Sequence, residues 1–334
     1  MDPFFFELSG EHPTMPLAEA LSLISLEKGT TATETGPGYL ICHMDPSSLD
    51  PLADRIALTH RIGRHLLTCH LPDLWKEAES LELPEGSFSI RVKRFEKSMP
   101  EVDTRALINR LGKLIKKKNK VDLNRPDNNI RVHLSDRVSI YIVGQEIDRK
   151  SLETRKVAQR PFFSPISLHP RYARALVNLT GLKPGDRMLD PFCGTGGVLL
   201  EAASMGIVPI ASDISADMVE GCRRNLEHYG HQLHDSAVCD VGDINDHFGH
   251  LKAVVTDPPY GRSTSTHGEE LRSIYKRAIE ASYEVLTDHG TLGITLPEPM
   301  GGVPGFKERY QFSQRVHRSL TRHYHVMTKD RTLS

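Results

Sequence analysis

The sequence has no pair of cysteines at C-x-x-C spacing. Its five cysteines, Cys42, Cys69, Cys193, Cys222 and Cys239, are odd in number and scattered, which argues against both a disulfide framework and a zinc site and leaves reduced thiols as the expectation. The 17 histidines form no H-E-x-x-H motif, so no metal is expected either. No stretch approaches the roughly 18 uninterrupted apolar residues of a membrane span. The opening MDPFFFELSG lacks the basic start of a secretory signal. From these absences the expectation is a cytoplasmic protein that meets neither membrane nor metal; the sequence leaves the oligomeric state unknown, with a monomer favoured.

Net charge is also almost missing, at -1 from 42 Lys and Arg against 43 Asp and Glu. Resolved along the chain, the neutrality dissolves. Residues 1–90 carry 5 basic and 14 acidic side chains, residues 91–160 carry 19 and 9, residues 161–260 carry 7 and 12, and residues 261–334 carry 11 and 8. A basic belt between acidic stretches points to one module that meets a polyanion and another with a different task. With 38% hydrophobic and 25% charged residues in 334, the chain is globular and long enough for two or three domains.

The first 150 residues alternate short elements. A strand over Phe4 to Leu8 leads to a helix carrying Leu17, Ala20, Leu21 and Ile24 on one face, then to a Thr-rich strand running into Ile41. A short helix after Pro51, a strand near Arg64 to Cys69 and a helix from Asp73 to Leu81 complete a small α+β unit. A second unit follows, with strand Ser87 to Val92, a helix capped by Asp103 and ending in a lysine run, and strands Ile130 to Leu134 and Val138 to Val143. Residues 149–165 read as a linker ending in a docking segment. From His169 the helices and strands lengthen and alternate, which predicts a doubly wound parallel sheet with ligands at the carboxyl ends of its strands. The tail over Phe312 to Met327 has the spacing of a closing hairpin.

The most informative turn, Asp190-Pro191-Phe192-Cys193-Gly194-Thr195-Gly196-Gly197, joins a strand end to a helix start. It matches neither the G-x-G-x-x-G dinucleotide fingerprint nor a phosphate loop. A carboxylate beside a tight glycine turn suits a cationic or neutral polar ligand better than a pyrophosphate, which it would repel. Asp213 ends the next strand, where it can accept both hydroxyls of a ribose. Asp240 ends the third, placed to take an exocyclic adenine hydrogen. Each acid singly is more often a helix cap or a solvated residue, but three at successive strand ends favour an adenosine-bearing cofactor. The fourth strand ends in Thr256-Asp257-Pro258-Pro259-Tyr260-Gly261. Adjacent prolines remove amide donors and leave carbonyls free. Asp257 and the Pro258 carbonyl can therefore accept the two hydrogens of a planar exocyclic amine, with Tyr260 stacked on the ring that bears it.

DPFCGTGG, the acids at 213 and 240, and TDPPYG, in that order, resemble the motifs of S-adenosylmethionine-dependent amino-methyltransferases. The strings RPFFSPISLHPRYARALVNL, DPFCGTGGVLLEA, DPPYGRS and QRVHRSLTRHYHV together resemble the archaeal tRNA guanine-10 N2-methyltransferase family. The resemblance implies an N-terminal ferredoxin-like α+β unit (1–86), a THUMP RNA-binding module (87–148), the linker (149–165), and a Rossmann-type α/β methyltransferase domain (166–334). It implies that Asp190, Phe192, Gly194, Thr195 and Gly196 cradle the methionine part of S-adenosylmethionine, that Asp213 holds its ribose and Asp240 its adenine. Asp257, Pro258, Pro259 and Tyr260 would then hold the target guanine, and the segment Arg160 to Phe163 would fold over the cofactor. The implied partner is tRNA, and the implied reaction adds one or two methyl groups to N2 of guanine 10.

Lys113, Lys116, Lys117, Lys118 and Lys120, preceded by Arg91, Lys93, Arg94 and Lys97, make the candidate RNA platform. Few aromatics lie among them, so backbone and shape would be gripped there and the base read elsewhere. Two rival readings stand beside this one: a DNA adenine-N6 or cytosine-N4 methyltransferase using the same Asp-Pro-Pro-Tyr chemistry, and a catalytically silent RNA-binding protein.

Overall fold

The computed structural model describes residues 1–115, 119–164, 167–260, 270–318, 320–330 and 332. Lys116, Lys117 and Lys118 of the expected platform, Pro165 at the end of the expected linker, and Gly261 lie outside the described residues. The chain forms two compact units, Met1–Ile147 and Asp148–Ser334.

In the first unit, β1 (Asp2–Leu8), α1 (Met15–Ile24), β2 (Thr31–Gly36), β3 (Tyr39–Met44), α2 (Leu49–Arg55), β4 (Thr59–Cys69) and α3 (Leu74–Ala78) precede β5 (Ser87–Arg94), α4 (Thr104–Ile115), β6 (Lys120–Val121), β7 (Asn128–Leu134) and β8 (Val138–Glu146). All eight strands share one sheet, in the order β2-β3-β1-β4-β8-β7-β5-β6. The Thr-rich stretch is two strands rather than one, because the chain folds back at Pro37-Gly38 and pairs Gly36 with Tyr39. The helix expected over 73–81 is short, a 3-10 turn at Leu71–Asp73 followed by α3. The expected division at residue 86 falls inside a continuous sheet, since β4 pairs with both β1 and β8. Gly63 permits that pairing: a Cβ there would lie 2.1 Å from the Ile142 carbonyl oxygen.

Helix α4 crosses between the parallel strands β5 and β7, burying Leu107, Leu111 and Ile115 against Phe88, Ile90, Ile130 and Val132. Asp103 caps it, accepting from the amides of Arg105 and Ala106 at 2.9 and 3.1 Å. Part of the acidity of residues 1–90 is structural. Glu19 is fully buried and accepts from the Ala57 and Leu58 amides at 3.0 and 2.8 Å, and Glu7 accepts from Arg61 at 3.1 Å and from the Tyr141 hydroxyl.

The second unit contains α5 (Arg149–Glu153), α6 (Pro170–Leu179), β9 (Arg187–Asp190), α7 (Gly197–Ser204), β10 (Val208–Asp213), α8 (Ala216–His228), β11 (Asp235–Val238), α9 (Ile244–His247), β12 (Leu251–Thr256), α10 (Leu271–Val285), β13 (Leu286–Leu296), β14 (Phe306–His317) and β15 (Leu320–Lys329). The expected linker thus holds a helix, capped by Asp148, and a 3-10 turn at Val157–Gln159. The sheet order is β11-β10-β9-β12-β13-β15-β14. Its first five strands are parallel and β15 runs against them, making the expected doubly wound Rossmann-type sheet. Strand order reverses between β9 and β12, and ligands of such sheets bind at the carboxyl ends on either side of that switch. Leu189, Ile210, Val254, Leu292 and Ile294 fill the core beneath it.

Candidate active site

Asp190 is the last residue of β9 and Asp257 directly follows β12, so the two carboxylates flank the switch point. Asp190 is 2% exposed; its Oδ1 accepts from the Thr256 hydroxyl at 2.6 Å and from the Phe192 amide at 3.1 Å. Burial pushes its carboxyl up to about 7 against those two hydrogen bonds, with the nearby Asp257 and Asp213 charges adding to the rise.

The following turn closes when the Gly196 amide donates to the Cys193 carbonyl at 2.7 Å. Gly194 and Gly196 have φ of +47° and +76°, and Gly196 is the left-handed N-cap of α7. A Cβ at Gly196 would also lie 2.7 Å from Cys222 Sγ. Gly196→Ala therefore combines left-handed strain with overpacking and is expected to cost about 2 kcal/mol, a drop of about 4–8 °C in the melting temperature of a unit this size, measurable by thermal unfolding without ligand.

At the end of β10, Asp213 accepts from the Gly194 amide at 3.1 Å and the Ser215 amide at 3.0 Å. Burial outweighs those bonds and raises its carboxyl. Asp240, just beyond β11, caps a 3-10 turn by accepting from the Gly242 amide at 2.8 Å and pairs through the same oxygen with Arg277 of α10. Burial alone would raise that carboxyl, but the Gly242 amide and the Arg277 guanidinium hold it below the ordinary range.

Asp257 sits in a polar net. The hydroxyls of Tyr260 and Thr295 donate to its Oδ1, and Arg322 of β15 lies 3.8 Å from Oδ2, with both side chains about nine-tenths buried. Burial, reinforced by the Asp257 charge, holds the Tyr260 phenol well above its ordinary value, so it remains a donor. Arg322 lies over the Tyr260 ring, its guanidinium carbon 5.5 Å from the centroid. The Pro259 carbonyl accepts from the Tyr275 hydroxyl at 2.7 Å. Among the described residues, the Pro258 carbonyl accepts from nothing.

These groups open onto one cleft of about 760 Å³, whose walls include Asp190, Phe192, Gly194, Thr195, Asp213, Asp240, Asp257, Pro258 and Pro259. Gly196 and Tyr260 are not in its lining; one shapes the turn and the other supports Asp257. A strap ahead of α6 supplies Ser164, Ser167 and Leu168 to the rim. The Asn225 side chain of α8 staples it: its Oδ1 accepts from the Phe162 amide at 2.8 Å, and its amide donates to the carbonyls of Phe162 and Thr195 at 2.9 Å each. Arg160 donates to the hydroxyl oxygens of Thr195 and Ser167 at 2.9 and 3.1 Å, so the strap and the glycine turn are held together. The Phe162 ring packs where Gly221 has no side chain, 2.1 Å from where a Cβ would be.

In the first unit, Lys113 and Lys120 are exposed, as are Arg91 and Lys93 on one face of β5. Arg94 is not available to a ligand: it donates to the carbonyls of Ser98, Met99 and Val102 in the turn before α4. Among the described residues, no group of three or more His, Cys, Asp or Glu is placed to hold a metal ion, and no helix is long and apolar enough to cross a membrane.

Comparison with known proteins gives two domain matches, an RMKL-like methyltransferase domain over residues 158–315 and a THUMP domain over residues 74–143. The tRNA (guanine(10)-N2)-dimethyltransferase of Methanothermobacter thermautotrophicus is 36% identical, over 96% of this chain and 98% of that protein. The enzyme of the same name from Pyrococcus abyssi is 36% identical, over 97% and 99%. The crystal structure of TrmN from Thermus thermophilus shares the fold, with a TM-score of 0.56 and 20% identity over 98% of this chain and all of that one.

Proposed function

Since the chain belongs to the family of archaeal tRNA (guanine(10)-N2)-dimethyltransferases, we propose that it methylates the exocyclic N2 of guanine 10 in tRNA with S-adenosylmethionine as donor. The observation that carries this reading is the single cleft into which Asp190, Asp213, Asp240 and the Asp257-Pro258 pair all open.

The cleft fits the cofactor chemically. Four carboxylates in one site favour a ligand that brings positive charge, and the volume suits a molecule of that size. The turn from Phe192 to Gly196 would hold the methionine end, Asp213 the ribose hydroxyls, and the free Oδ2 of Asp240 the adenine amine. When bound, S-adenosylmethionine supplies an electrophilic methyl on a cationic sulfur.

The chain's own residues prepare the nucleophile. A base within a tRNA stem must leave the stack to reach such a site. Two hydroxyls fill Asp257 Oδ1, so Oδ2, which Arg322 faces at 3.8 Å, and the Pro258 carbonyl, unclaimed among the described residues, accept the two amine hydrogens. Holding both aims the nitrogen lone pair at the donor methyl, and positioning of this kind is worth several powers of ten in rate. Asp257 Oδ2 then takes the proton that leaves the nitrogen. Arg322 covers one face of Tyr260, and Tyr260, outside the cleft lining, serves the guanine indirectly by fixing Asp257. After the first transfer Asp257 returns its proton to solvent, and the one hydrogen left on the nitrogen is held, and then taken as a proton, by Asp257 Oδ2.

The exposed lysines and arginines of the first unit, including Lys113 and Lys120, grip the RNA backbone within a matched THUMP domain. Nothing comparable is needed by a DNA amino-methyltransferase, and a silent binding protein would have no use for the Asp257 net. The test is methyl incorporation from labelled donor into a tRNA transcript with guanine at position 10, its adenine-10 counterpart, and duplex DNA. The expected product is two methyls on N2 of guanine 10 by mass spectrometry, with no label in the other two. Label that persists without guanine 10 would overturn the reading.

A further inference from the structure

The β14–β15 hairpin outruns the sheet that carries it. Its ladder with β13 ends at the pair Leu296–His323, whereas the β14–β15 ladder continues through Arg315–Thr321 to His317–Leu320. Three further residues at about 3.3 Å each carry the tip about 10 Å past the end of β13. That end is the carboxyl edge of the parallel strands, because β13 runs parallel to β12 with Thr256 opposite Ile294, and Asp257 comes next. Two inter-strand steps of about 4.8 Å separate β15 from β12, which puts the tip on the order of 15 Å from Asp257, on the same carboxyl edge of the sheet.

The tip is also one-signed. Residues 309–329 contain no Asp or Glu and five cations, Arg309, Arg315, Arg318, Arg322 and Lys329. Arg322 and Lys329 are buried and employed, the first beside Asp257 and the second donating to the Tyr283 and Leu286 carbonyls at 2.6 and 2.9 Å. Arg315 and Arg318 are exposed and have no ion-pair or hydrogen-bond partner among the described residues. Between them Val316 is 42% exposed. Charges on an edge strand often serve only to prevent sheet-to-sheet association. Here that task falls to Lys307, Glu308 and Arg309, exposed at the start of β14; Arg315 and Arg318 lie where the neighbouring β13 has already ended.

We propose that the hairpin tip is a second RNA-binding surface, on which Arg315 and Arg318 grip the phosphate backbone beside the extruded nucleotide. The inference rests on the tRNA-methylation reading and adds to it a contact outside the THUMP domain. Its value to the reaction lies in register. Arg322 sits on the same strand as the tip and reaches Asp257 Oδ2, with its Nε donating to the Tyr260 hydroxyl at 3.3 Å. A phosphate held at the tip is therefore at a fixed distance from the carboxylate that orients the amine. Phosphate contacts set orientation and register without reading sequence, which is what a flipped base needs from its flanks.

The test uses the full chain, a guanine-10 tRNA transcript, and the variants Arg315→Ala/Arg318→Ala and Arg315→Lys/Arg318→Lys. Removing two phosphate contacts flattens the log-log salt dependence of tRNA affinity by roughly 1.4 to 1.8. The alanine pair should show that flattening, a KM for tRNA raised by about tenfold or more, and unaltered S-adenosylmethionine affinity, which also reports an intact fold. The lysine pair should restore the salt slope. An unchanged slope and KM in the alanine pair, with the parent chain active on guanine 10, overturns the hairpin proposal alone. A parent chain that does not methylate guanine 10 overturns the functional reading beneath it.

Discussion

Asp257→Ala is expected to lower the rate of methyl transfer by about three to four powers of ten while leaving tRNA affinity essentially unchanged. The size follows from the role proposed for the carboxylate: to hold one amine hydrogen, fix the lone pair and take the departing proton, all of which would matter only as the nitrogen attacks. The RNA contacts proposed above lie on other residues, so binding and chemistry should separate. Single-turnover rates with tRNA and donor both saturating are the measure. Because Asp257 and Arg322 form a pair about nine-tenths buried, removing one partner strains the fold. Asp257→Asn provides the companion variant, keeping an oxygen for the Tyr260 and Thr295 hydroxyls while losing the charge. Both variants should keep S-adenosylmethionine affinity within a few-fold. A rate within tenfold of the parent in either, with cofactor binding intact, would remove Asp257 from its assigned role.

The strand-end acids and the proline pair were legible because each is local. A carboxylate at the end of a strand, a glycine turn into a helix, and two prolines that withdraw amide donors are properties of four to eight consecutive residues, and the alternating pattern places them on one sheet edge. Their supporting partners were not legible. Arg322 reaches Asp257 from 65 positions away in sequence, Arg277 reaches Asp240 from 37, and Asn225 reaches Phe162 from 63. Such pairings depend on sheet order and helix packing that no window of sequence contains. Thr256 is an exception: it directly precedes the Asp-Pro-Pro-Tyr string and bonds Asp190 on the adjacent strand. Of the first unit, the individual helices and most strands could be read from periodicity. Their union into one sheet could not, because it depends on the length and partners of β4 and on the absence of a side chain at Gly63.

Asp190, proposed to face the cofactor, carries the second large expected effect. With its carboxyl pushed up to about 7 by burial, the ligand-free protein keeps a proton there that the unfolded chain, with an ordinary aspartate near ~3.9, has already lost. Between those two values the folded state binds more protons than the unfolded state, so this group makes stability fall as pH rises from about 4 to 7. A cofactor carrying positive charge prefers the ionised carboxylate. Its affinity should therefore strengthen as pH rises, by up to about tenfold per unit between pH 5.5 and 7, and level off above. That window lies below the titration of an α-amino group at ~7.7–8.0, so the donor's own amine stays charged throughout. Calorimetry in two buffers of different ionisation enthalpy should find about one proton released on binding at pH 6 and fewer as pH passes 7. Asp190→Asn keeps the side-chain shape but not the charge; it should weaken binding at pH 7.5 by about tenfold or more and abolish the pH dependence. A parent affinity that is flat across the window, or an Asn variant that retains the slope, would assign the cofactor's charge to Asp213 or Asp257 instead.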